Sequence, residues 1–119
     1  MKVQQSRKGG FTLVEIMIVV AIIGLLAAIA VPNFVKARTT AQKNSCIANL
    51  KQIDGAVQQW ALENKKAATD TYALTDTTVL SYLKGSTLPA CPGGGSYSAG
   101  SSISGSPGCS LSSSSGHTL

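Results

Sequence analysis

Two sets of residues in this sequence have types and spacings that suit chemistry. The first is Arg7-Lys8-Gly9-Gly10-Phe11-Thr12-Leu13-Val14-Glu15, directly ahead of the apolar run from Ile16 to Val31. Gly9-Gly10 offers an extended, unhindered backbone to a protease, and a bulky or charged residue at Gly10 would obstruct it. These residues suggest a processing site joined to an assembly helix. Glu15 is the only charge between Phe11 and Val31. A carboxylate in hydrocarbon costs about 3 kcal/mol and is normally there with a partner.

The second set is Cys46, Cys91, Cys109 and His117. It contains no CxxC pair and a single histidine, and a zinc site reads as needing more ligands than that, so no metal is expected. Cys91 and Cys109 enclose a loop poor in apolar residues, where a disulfide would add about 3 kcal/mol by restricting the unfolded chain. That disulfide is the expectation. Cys46 reads as a small buried apolar residue. His117 has no acid or thiol nucleophile close to it in sequence and reads as a surface or capping residue. Asp54, Glu63, Asp70 and Asp76 are scattered, and no catalytic constellation emerges, so no enzyme activity and no cofactor are expected.

The elements that must position these residues follow from composition. At 119 residues there is room for one small domain beyond the apolar N-terminal third. The formal charge of +5 owes three of its units to Lys2, Arg7 and Lys8, and after Gly10 there remain seven basic and five acidic side chains. That small excess does not suggest a nucleic-acid surface. Residues 1–10 read as a short basic leader. Residues 11–32 hold an apolar segment that, at about 1.5 Å per residue, spans roughly the 30 Å of a bilayer core. The basic residues ahead of it predict a single pass with the N-terminus cytoplasmic and the remainder outside the inner membrane, where disulfides can form. Gly24 and Pro32 both weaken the helix, so a kink or unwinding is expected between them.

Residues 33–64 continue as an amphipathic helix whose stripe is Cys46, Leu50, Ile53, Val57 and Trp60, widened by Ile47 and Ala61. Together the two helical halves predict a rod of about 80 Å. Asn64-Lys65-Lys66 reads as its end. Residues 65–119 predict a small head. Within it, Tyr72 to Leu88 carries a short helical or extended piece packed through Val79, Leu80, Tyr82 and Leu83. From Pro89 onward Gly, Ser and Pro dominate, and segments around Tyr97 and Cys109 pair as a short hairpin. The fold class is therefore mainly α with a small irregular or β C-terminal head.

A conventional secretory signal competes with this reading, since a basic n-region, an apolar run and Ala28-Ile29-Ala30 suit a signal peptidase site. Against it, Glu15 interrupts the start of the run, and the run exceeds the usual h-region of about 7 to 15 residues. The signal reading predicts a mature N-terminus at Val31 and makes the protein a secreted or anchored binding module with Ser-rich loops. An electron-carrying filament would need close aromatic stacking, and Phe11, Phe34, Trp60, Tyr72, Tyr82 and Tyr97 are far apart in the chain.

Gly9-Gly10-Phe11-Thr12-Leu13-Val14-Glu15, with the apolar run and Pro32 behind it, resembles the N-terminus of the type IV pilin-like family, which includes the pseudopilins of type II secretion systems. The resemblance covers residues 7 to about 34 closely and, by helix pattern, extends to about 64. It implies removal of the leader by a prepilin peptidase after Gly10, N-methylation of Phe11 by the same class of enzyme, and assembly on an inner-membrane platform into a homo-oligomeric filament in the periplasm or outside the cell. In such a filament the Phe11 amine of an incoming subunit would meet Glu15 of its neighbour, neutralising two costly buried charges when the subunits are in register. Gly24 and the alanines near it would permit close helix approach. The tail from Cys91-Pro92-Gly93-Gly94-Gly95 to Gly116-His117 looks like that of some short pilin-like proteins, in keeping with the disulfide. Major type II pseudopilins typically carry a late calcium loop. No acidic residue follows Asp76 here, which leaves calcium unsupported.

Overall fold

The computed structural model describes residues 9–119, so most of the expected leader lies outside the described residues. The element order is α1 (Leu13–Glu63), α2 (Thr77–Leu80), a 3-10 turn (Lys84–Ser86), β1 (Tyr97–Ser98), β2 (Gly108–Cys109) and α3 (Ser112–Ser115). The chain divides into two compact units, Met1–Lys36 and Ala37–Leu119, and α1 contributes to both.

Helix α1 opens with a reciprocal cap. The Thr12 carbonyl accepts from Ile16 N–H at 3.3 Å. The Glu15 N–H donates to Thr12 Oγ1 at 3.2 Å, and the Thr12 N–H donates to Glu15 Oε2 at 3.4 Å. This is the capping box, which satisfies two of the helix's orphan amides. The backbone stays helical through Gly24 and Pro32. The unwinding expected there is absent: loss of one hydrogen bond at Pro32 is tolerated within an otherwise intact run. Every apolar side chain from Leu13 to Val31 is exposed within the chain, and α1 holds the one stretch among the described residues long and apolar enough to cross a membrane.

In the second unit the stripe along α1 is buried as its spacing predicts, at Cys46, Leu50, Ile53, Ala56, Val57, Trp60 and Ala61. Helix α1 ends at Glu63 in a Schellman turn. Lys65 takes a left-handed φ of 53°, Lys66 N–H reaches the Ala61 carbonyl at 2.9 Å, and Asn64 Nδ2 donates to the Trp60 carbonyl at 2.8 Å. The left-handed residue is thus Lys65 rather than Asn64, and the Lys66 ammonium lies over the Trp60 ring at 5.7 Å.

The core of the head gathers Ile53, Val57 and Trp60 of α1 with Leu74, Val79, Leu83 and Ile103, and Leu80 and Tyr82 pack at its edge. Asp76 caps α2, accepting from Thr78 N–H at 2.9 Å, and this hydrogen bond holds its carboxyl below the usual range. The Tyr82 hydroxyl donates to the Glu63 carboxylate. The hairpin forms as an antiparallel pair, Tyr97 opposite Cys109 and Ser98 opposite Gly108. At its turn Gly100 comes so close to the backbone of Gly105 that a Cβ would lie 2.5 Å from that carbonyl oxygen. The four serines of α3, which read as loop in the sequence, make one helical turn closed by Gly116 at φ 67°. That left-handed residue carries the chain back inward at His117.

Candidate functional site

At the N-terminal end, Gly9, Gly10 and Phe11 precede the helix in non-helical backbone and are exposed. A Cβ built at Gly9 or Gly10 would touch nothing within 4 Å among the described residues. Phe11 is 85% exposed. Glu15 stands in the first turn of α1, its carboxylate turned back on the Thr12 amide. Thr12 was not among the expected site residues, although Thr12-x-x-Glu15 carries the capping-box spacing that would have found it. Gly24 and Pro32 lie on exposed helix, and Gly24 faces open space.

A second site forms where none was expected. Cys46 from α1, Cys91 from the loop after the 3-10 turn, Cys109 from β2 and His117 after α3 converge with their ligand atoms all within 4.8 Å of one another. All four are buried, at 0%, 6%, 4% and 2% exposure respectively. The Cys91 and Cys109 sulfurs are 3.8 Å apart, and Cys91 Sγ lies 3.6 Å from His117 Nδ1.

Three expectations are corrected here. The Cys91–Cys109 disulfide is not formed, and all three cysteines are free thiols. Cys46 is not an isolated apolar residue but part of the thiol cluster, and His117 is buried rather than at the surface. The absence of a CxxC pair did not preclude a four-ligand constellation, because its members come from four different segments. The count of three cysteines and one histidine, which read as too few ligands, is the full complement of one tetrahedral site.

The surroundings polarise this cluster. Burial, together with the Cys91 hydrogen bond, pushes the Cys46 thiol up to about 12. Burial also pushes the Cys91 thiol up, but hydrogen bonds with Cys46, the Gly95 and Gly93 amides and His117 outweigh it and bring the group down to about 6. Burial raises the Tyr97 phenol, whose oxygen accepts from Asn49 Nδ2 at 3.1 Å and which also hydrogen-bonds Cys46. The loop Cys91-Pro92-Gly93-Gly94-Gly95 wraps close to the sulfurs. A Cβ at Gly93 would lie 3.0 Å from His117 Cε1, and one at Gly95 would lie 2.9 Å from Cys109 Sγ.

Fold and N-terminal sequence together define a class: a chain with a long N-terminal helix, apolar in its first half, preceded by Gly-Gly-Phe and followed by a small head. The prokaryotic N-terminal methylation motif matches residues 5–31. The type IV major pilin protein PilA of Myxococcus xanthus is 47% identical over 60 residues, which cover 50% of this chain and 27% of that protein. The type II secretion system core protein G of Klebsiella pneumoniae is 36% identical over 64 residues, or 54% of this chain and 46% of the relative. Its Escherichia coli K12 counterpart is 32% identical over 84 residues, or 71% and 54%. No solved structure gives a significant match. The chain spans about a quarter to about half the length of these curated relatives. Through these matches the chain is similar to type IV pilins and to type II secretion system core proteins.

Proposed function

We propose that this chain is the structural subunit of a type IV pilin-like filament, cut after Gly10 by a prepilin peptidase and N-methylated on Phe11. Of the uses open to it, a type II secretion pseudopilin or a short pilin suits the small head best. The observation that carries this reading is the apolar surface of α1 from Leu13 to Val31, exposed along its whole length and opened by Glu15 directly after an accessible Gly9-Gly10-Phe11. Such a surface needs hydrocarbon or other helices around it. Lipid supplies that cover while the subunit waits in the inner membrane with its C-terminus in the periplasm. Neighbouring copies supply it in the filament, where small residues such as Gly24, Ala27 and Ala28 allow helices to approach.

In the filament the Phe11 amine of one subunit would pair with Glu15 of the next, so that neither charge is buried alone. The partners implied are further copies of the chain, the processing and methylating enzyme, and an inner-membrane assembly platform. Intact-mass analysis of the mature protein tests the reading. A chain beginning at Phe11 and carrying one added methyl group is expected. A mature N-terminus at Val31 would overturn it in favour of a secreted or anchored binding module.

A further inference from the structure

We propose that Cys46, Cys91, Cys109 and His117 are the four ligands of a structural zinc ion, a closed Cys3His centre that ties the C-terminal head to α1. The geometry points there first. With Zn–S near 2.3 Å and Zn–N near 2.05 Å, an ideal tetrahedron has S···S edges of about 3.8 Å and S···N edges of about 3.6 Å. The Cys91–Cys109 and Cys91–His117 separations are 3.8 and 3.6 Å. A disulfide would require sulfurs about 2.05 Å apart and would use only two of the three. Every cysteine and the only histidine of the chain meet at this one point, although 71 residues separate Cys46 from His117.

The surroundings are those of a metal centre as well as of a packed core. Metal-bound thiolates are held by an outer layer of hydrogen-bond donors. Here the Gly93 and Gly95 amides hydrogen-bond Cys91 and Tyr97 hydrogen-bonds Cys46, while Asn49 Nδ2 donates to the Tyr97 hydroxyl oxygen at 3.1 Å. The glycines are needed for that approach, because a Cβ on Gly93 or Gly95 would come within 3.0 Å of the cluster or the side chains beside it. Burial of all four ligands leaves no open coordination position for water, which makes the centre structural rather than catalytic.

Zinc binding is proton-balanced and involves no oxidant. The three thiols release three protons to solvent and bond through Sγ, while neutral His117 bonds through the Nδ1 lone pair and keeps its hydrogen on Nε2, leaving the centre with one net negative charge. Tetrahedral thiolate-rich ligands suit zinc or iron among common metals, and the proposal commits to zinc. The physical need is plain in the head. Beyond α1 its buried aliphatic side chains are Leu74, Val79, Leu83 and Ile103, and small domains with so little core rely on a metal or disulfides.

The test uses the full chain purified in detergent from cells grown with zinc. Native mass spectrometry and elemental analysis are expected to give one zinc per chain, with all three thiols protected from alkylation until a chelator is added. Removing the metal is expected to lower the Tm by several degrees, and cobalt in its place should show thiolate-to-cobalt charge-transfer absorption. His117→Leu and Cys46→Ser should each weaken zinc binding by at least about tenfold, whereas His117→Cys, which restores a fourth ligand, should bind more tightly than His117→Leu. The proposal is overturned by a metal-free protein lighter by two protons through a disulfide, by free thiols that take up no zinc on reconstitution, by iron as the bound metal, or by full zinc binding in either ligand-removing variant.

Discussion

In the single chain the Glu15 carboxylate accepts the Thr12 amide while Thr12 Oγ1 accepts the Glu15 amide, so the residue read from sequence as an assembly charge is also a helix cap. The two roles are separable by chemistry. Glutamine serves in a capping box but carries no charge. Glu15→Gln is therefore expected to preserve helix content, measured by circular dichroism in detergent, and to abolish filament formation, measured as sheared-filament yield. Glu15→Ala should lose both the cap, at about 1 kcal/mol, and assembly. Filaments at wild-type yield from the Gln variant would remove the proposed pairing with the Phe11 amine. Thr12 was legible in advance from its spacing to Glu15. The partnership of Cys46 with His117 was not, because no local rule joins a residue on a helical stripe to one near the C-terminus.

At the scale of elements, helix α1 and the hairpin use glycine for opposite reasons. Gly55 lies exposed in the helix with open space where a Cβ would go. Gly55→Ala is expected to stabilise the chain by up to about 1 kcal/mol through helix propensity alone. Gly100 faces a backbone oxygen 2.5 Å from its would-be Cβ, and backbone cannot rotate away as a side chain can. Gly100→Ala is expected to cost about 2 kcal/mol, within the range for overpacking, and thermal denaturation of the two variants should move in opposite directions. The stretch from Gly24 to Pro32 belongs to this scale too. It is helical in the single chain, yet it carries a flexible residue and a missing hydrogen bond. On the filament reading it is expected to unwind or stretch during extraction from the membrane. Electron microscopy of assembled filaments checks this, and a straight unbroken helix there would contradict it.

Over the whole molecule, the two units are stabilised by different means. The first has apolar side chains that the chain itself leaves uncovered, so its stability depends on lipid or on other copies. The second buries a short aliphatic core against one face of α1 and closes its Gly/Ser-rich tail around four soft ligands. The methylation motif lies in the first unit, over residues 5–31.

The sequence by itself determined what depends on local order. The Gly9-Gly10 pair, the apolar run, the lone carboxylate and the stripe from Cys46 to Trp60 are periodic or contiguous signals, and the short pairing around Tyr97 and Cys109 followed from composition between turn residues. Only the tertiary structure decided the fate of the sulfurs. An expected two-cysteine bridge became a three-cysteine, one-histidine cluster when α1, the Cys91 loop, β2 and the turn after α3 met, with Gly116 in a left-handed conformation returning His117 to the interior. Convergence of four distant segments is set by packing and by backbone turns, and no spacing along the chain records it.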